Sequence, residues 1–146
     1  MRVLFVDDEP NVLDSIRRQL RKSVDIHTAA SGDEALRLLQ ELGPVALVVS
    51  DMRMPGMTGA ELLARVRDLY PDTVRMILSG QADLESTISA VNDGHVFRFL
   101  TKPCGEDSLR TAVAAGIEQY QLVTTRNELV EKTLQGLVET LNDILG

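Results

Sequence analysis

Between residues 1 and 120, short apolar runs alternate five times with longer amphipathic ones, and few folds tolerate that rhythm. The short runs are Val3 to Val6, Val24 to Ala29, Val45 to Val49, Val74 to Leu78 and Val96 to Leu100. The third is apolar throughout, as a parallel strand covered on both faces requires. Parallel neighbours need crossovers, and the intervening segments supply them as helices. Pro10 suits the first turn of one helix, whose apolar face is Val12, Leu13, Ile16 and Leu20. Ser31 with Glu34 and Thr58 with Glu61 have the spacing of capping boxes. They open helices that turn Ala35, Leu38, Leu39 and Leu42, or Leu62, Leu63, Val66 and Leu69, inward. Gly43-Pro44 stops the earlier of these two. Asp83 can cap a further helix to about Asn92. The expectation is an α/β domain with a parallel sheet.

After Pro103 the character changes. No proline interrupts Glu106 to Leu145, which predicts one helix too long to lie wholly on such a domain. Leu109, Val113 and Ile117 can pack on the sheet. Beyond them Val123, Val130, Leu137 and Ile144 recur every seven residues, with Tyr120, Asn127, Leu134 and Leu141 between them. That is an a/d heptad register with Asn127 at one seam position, where a polar residue can fix the pairing of two helices. Residues 1–120 are therefore expected to form one domain. Residues 121–146 are expected to be a helical extension, a coiled-coil linker toward an output domain outside this chain, through which two copies pair.

Composition excludes several function classes. Residues 1–105 carry 15 acids and 12 bases, and residues 106–146 carry 7 acids and 3 bases, so neither part has the basic excess that nucleic-acid backbones demand. Aromatic residues make up 3%, too few for a base-stacking platform. Cys104 is the single cysteine, which removes internal disulfides and cysteine-based zinc sites. No apolar run approaches a membrane span or a signal peptide. A cytoplasmic protein without direct nucleic-acid or membrane contact is expected.

In an open parallel sheet, ligands bind beyond the carboxyl ends of the strands. Asp7 and Asp8 follow the first strand, Asp51 the third, Ser79 the fourth and Lys102 the fifth, so all five should meet on one edge. Three close carboxylates repel one another unless a cation joins them, and Mg²⁺ suits a site of few carboxylates and retained waters. A lysine and a hydroxyl complete a set suited to phosphoryl transfer onto an aspartate. Taken singly, an acidic pair after a strand complements a helix dipole; the conjunction carries the argument.

The stretches VLFVDDEP (3–10), VVSDMRMPGMTGAEL (48–62), MILSGQAD (76–83) and FRFLTKP (97–103) resemble the receiver domain of bacterial two-component response regulators. The resemblance implies a doubly wound five-stranded sheet of order 2-1-3-4-5. It implies that Asp51 is the phosphoacceptor for a sensor histidine kinase. Asp8, Asp51 and the main-chain carbonyl of Arg53 would bind Mg²⁺, with Asp7 acting through water. Ser79 and Lys102 would hold the phosphoryl group, the lysine preceding a cis proline at Pro103, and Phe99 would be the aromatic switch residue. Many relatives carry Thr and Tyr where Ser79 and Phe99 stand here, so no phenolic hydrogen bond can lock this switch. Arg53 and Gln81 would tune the phosphate lifetime. GHVFRFLTKPC and LVEKTLQG are also similar to receivers that precede a cyclic-di-GMP phosphodiesterase of the HD-GYP type.

Two other readings compete. An aspartyl-phosphate phosphatase of the haloacid dehalogenase type needs its nucleophile after the first strand and an acid two residues on, whereas Asp51 follows the third and position 53 is Arg. A vestigial receiver acting as a scaffold would not need every site group present here. His27 and His95 lack ligand partners at metal spacing, Cys104 reads as a packing residue, and Met52, Met54 and Met57 read as packing around the loop after Asp51.

Overall fold

The protein's structure, a computed structural model, describes residues 1–80 and 96–146 together with Glu85, Ile88 and Ser89. Five strands form one sheet: β1 (Arg2–Val6), β2 (Asp25–Ala29), β3 (Leu47–Asp51), β4 (Val74–Ser79) and β5 (Arg98–Thr101). All neighbours pair in parallel, in the order β2-β1-β3-β4-β5. Helices α1 (Pro10–Leu20), α2 (Gly32–Leu42), α3 (Gly59–Leu69) and α4 (Glu106–Leu145) are described in full. The helix expected from Asp83 to about Asn92 lies outside the described residues, apart from Glu85, Ile88 and Ser89, which are helical. Gln81 and His95 also lie outside them.

Because side chains alternate along a strand, each central strand feeds two cores. Val3 and Phe5, Leu47 and Val49, and Met76 and Leu78 pack with Leu13, Ile16 and Leu20 of α1 and with Leu109, Ala112 and Val113 of α4. Leu4 and Val6, Val48, and Ile77 pack on the opposite face against Ala35 and Leu39 of α2 and Leu62, Leu63 and Val66 of α3. Met52 and Met54 join this second core, which bears out their packing role. Gly116 lets α4 approach closely, since a Cβ there would sit 3.0 Å from both Leu47 Cδ2 and Met76 Cε.

The helix starts follow the sequence. Ser31 Oγ accepts from the Glu34 N–H, and the Glu34 carboxylate reaches back to the Ala30 N–H. Thr58 Oγ1 accepts from the Glu61 N–H in the same way. Pro10 occupies the first turn of α1, as expected. Strand ends are displaced: β3 starts at Leu47, not Val45, and runs through Asp51, while β5 covers Arg98–Thr101, not Val96 to Leu100. Pairing of Asp51 with Leu78 and of Ser79 with Thr101 extends the ladder past the apolar runs, so hydrogen bonding, not hydropathy, sets these limits.

Candidate functional site

The strand ends bring the polar residues together. Val6 pairs with Ser50 and Asp51 with Leu78, so the carboxyl ends of β1, β3 and β4 lie level. Asp7 is the residue after β1, Asp51 and Ser79 are the last residues of β3 and β4, and Lys102 follows β5. One carboxylate oxygen from each of Asp7, Asp8 and Asp51 lies within 4.8 Å of the others. Lys102 Nζ sits 2.8 Å from Asp7 Oδ2 and 3.4 Å from Asp51 Oδ1, bridging two acids from different strands.

The backbone fixes this cup tightly. The Glu9 N–H donates to Asp7 Oδ1 at 2.9 Å, and the Lys102 N–H donates to the Ser79 carbonyl at 2.8 Å. The Lys102-Pro103 peptide is cis, as the resemblance implied. Two contributors escape sequence reasoning. The Ser50 hydroxyl donates to the Asp51 carbonyl at 2.9 Å. Gly59 donates its N–H to Met52 O at 2.9 Å, and a Cβ at Gly59 would stand 2.1 Å from the Asp51 carbonyl oxygen. The only available signal for Gly59 is its place just after Thr58 at a helix start, which does not say that α3 begins against the strand.

Burial and charge set the chemistry. Asp7 and Ser79 are each 2% exposed and Asp51 is 7% exposed, whereas Asp8 is open to solvent. Burial pushes the Asp51 carboxyl above its ordinary range, the Asp7 charge adds to this, and Lys102 opposes it. For Lys102, burial alone would lower the ammonium pKa, but hydrogen bonds and charges from Asp7 and Asp51 outweigh it and raise it. Three ionised carboxylates against one ammonium leave two negative charges in the cup. An all-oxygen donor set with that excess fits a hard divalent cation, which would relieve the penalty on Asp51.

Phe99 is on the edge strand β5 and 43% exposed, its ring turned out toward solvent. Arg53 is exposed in the loop after β3. His27 is half-buried in β2 with Nε2 3.2 Å from Asp25 Oδ1, away from the cup. Cys104 is half-buried, and burial raises its thiol pKa.

The model of the response regulator receiver domain matches residues 3–114. The chain belongs to this family. It is the receiver domain of a two-component response regulator. It is 40% identical over 120 residues to the hydrogenase transcriptional regulatory protein HoxA of Cupriavidus necator, covering 82% of this chain and 25% of that protein. A solved structure described as adenylate cyclase from Rhodopirellula baltica superposes with a TM-score of 0.87 at 42% identity, covering 90% of this chain and 97% of that one. The signal receiver domain of an HD domain-containing protein from Pseudomonas fluorescens gives a TM-score of 0.80 at 32% identity, covering 86% of this chain and 92% of that one. The chain spans about a quarter of the length of the first curated relatives it matches, at 25% and 24%. Among the described residues, no helix is long and apolar enough to cross a membrane.

Proposed function

We propose that Asp51 accepts a phosphoryl group from a sensor histidine kinase and that the resulting change in the receiver controls an output through α4. The observation that carries this reading is the meeting of Asp7, Asp8, Asp51 and Lys102 at the carboxyl edge of the sheet. A carboxylate oxygen of Asp51 attacks phosphorus, forming an acyl phosphate as the bond to the kinase histidine nitrogen breaks. Lys102, held between Asp7 and Asp51, pairs with a phosphoryl oxygen, and the Ser79 hydroxyl donates to another. Asp8, Asp51 and the Arg53 carbonyl would hold Mg²⁺, with Asp7 acting through water. When bound, that ion neutralises charge on the transferring oxygens. The buried setting keeps bulk water from competing for these contacts.

The switch then runs through β4 and β5. A phosphoryl group adds charge and acceptor oxygens at Asp51, drawing Ser79 toward it and freeing space for Phe99 to turn inward from its exposed position. On this reading residues 1–120 are the receiver, and 121–146 are the extension that pairs two copies and leads to an output domain. The chain is a cytoplasmic phosphoacceptor, not a dedicated enzyme. Its likeness to the receiver of an HD domain-containing protein supports an HD-domain output, of which the HD-GYP type suggested by the sequence would be one case, while the likeness to HoxA supports transcriptional control.

Incubation with acetyl phosphate and Mg²⁺ tests the core of this. A phosphate-affinity gel should show one shifted species that is absent in Asp51→Asn and after EDTA. A chain that never shifts would instead be a scaffold with an idle site. Dimerisation measured with and without beryllofluoride tests the output step, and identical assembly in both states would remove it.

A further inference from the structure

Helix α4 presents one continuous apolar stripe that meets two different surroundings. Up to Val123 the stripe lies on the domain: Leu109, Ala112 and Val113 are buried in the core, and Tyr120 packs against it. Asn127 comes next, and its Nδ2 donates to Asp72 Oδ1 at 2.8 Å, on the loop between α3 and β4. From there on every residue is exposed. Val130, Leu134, Leu137, Leu141 and Ile144 continue the stripe at alternating spacings of four and three, and each is at least 53% exposed. So wide an apolar face cannot hold an isolated helix of this length in water without cover.

We propose that a second copy of this chain covers that stripe in parallel, along a seam from Val130 to Ile144, and that Asn127 stands outside the seam as a strap to Asp72. The proposal rests on the pairing reading above and specifies its geometry. The spacing is self-complementary, as a two-helix seam requires. Charge selects the alignment. The positions flanking the seam are Arg126, Glu131, Thr133, Val138, Thr140 and Leu145. In a parallel pair Arg126 of each copy faces Glu131 of the other, twice by symmetry, and no like charges meet. An antiparallel pair sets Glu131 near Val138 and gives Arg126 no opposite charge. The remaining charges, Glu128, Lys132, Glu139 and Asp143, point away from the seam. The Asp72–Asn127 hydrogen bond thus marks where the domain's hold on the helix ends and the second copy's begins.

Sedimentation equilibrium of the full chain, with cysteine cross-linking in a Cys104→Ser background, tests this. The wild-type chain should dimerise, and Leu137→Asp should weaken the dimer on the order of a hundredfold. Asn127→Ala should leave its Kd within about threefold, since no seam contact is lost. Ile144→Cys alone should link to itself under mild oxidation. A wild-type chain that stays monomeric throughout overturns the pairing reading itself. A dimer in which Ile144→Cys links only to Asn127→Cys in mixed samples leaves pairing intact and overturns the parallel alignment. A change of about tenfold or more in Kd, or a new oligomer size, on Asn127→Ala returns Asn127 to the seam and overturns the strap.

Discussion

Asp51 is held in a setting that opposes its own charge. Its folded pKa lies above the 3.8 of an unperturbed aspartate, through burial and the neighbouring Asp7. The stability it contributes is full below 3.8 and is lost as pH rises through the folded value, so ionised Asp51 costs stability at neutral pH. In EDTA at pH 7, Asp51→Asn should raise the thermal midpoint by a few degrees, with the gain shrinking as the pH falls toward 3.8. A midpoint that drops across that range would contradict the assigned strain. Lys102 has the opposite sign. Its raised pKa gives stability that is present below 10.5 and lost only at higher pH. Lys102→Met should therefore cost about 2 kcal/mol at neutral pH, between the values for exposed and buried pairs, read as a shift in urea midpoint. Gly59 works through the backbone. Gly59→Ala should cost about 3 kcal/mol by driving α3 off the Asp51 carbonyl, and should slow acetyl-phosphate labelling. Asp7, Asp8, Asp51, Ser79 and Lys102 could be read from the chain because each follows an apolar run. Ser50 and Gly59 could not, because their roles depend on carbonyls that only the folded backbone brings near.

At the level of elements, the strands and helices were legible wherever periodicity and capping agreed, as in α2 and α3 with their Ser31 and Thr58 caps. Their limits were less so, because ladder pairing carries β3 to Asp51 and β4 to Ser79 beyond the apolar residues. The long helix was plain from composition, yet its hand-off at Asn127 was not. That contact joins residues 55 apart in sequence, and heptad spacing alone puts Asn127 in a seam. The two glycines of α4 separate the same two environments. Gly116 faces Leu47 and Met76, while a Cβ at Gly136 would meet nothing within 4 Å. Gly136→Ala should stabilise the helix by about 0.5–1 kcal/mol, and Gly116→Val should destabilise the domain by about 2 kcal/mol. Helicity by circular dichroism and urea midpoints would separate the two effects; matching responses would mean that α4 is not divided as described.

For the whole molecule, a doubly wound sheet gathers distant residues at one edge, and its last helix runs from the sheet out into solvent. The two cores are dense and apolar and α4 packs on β3 and β4; under the proposed switch a change at the cup would travel by displacement of β4 and β5 toward α4. In the proposed function, everything downstream would depend on where the phosphoryl group lands. Reducing the acetyl-phosphate-treated protein with borohydride converts an aspartyl phosphate to homoserine, and peptide sequencing then locates it. Homoserine should appear at position 51 alone, and only when Mg²⁺ is supplied; homoserine at another position, or none in a folded, Mg²⁺-loaded chain, would overturn Asp51 as the phosphoacceptor.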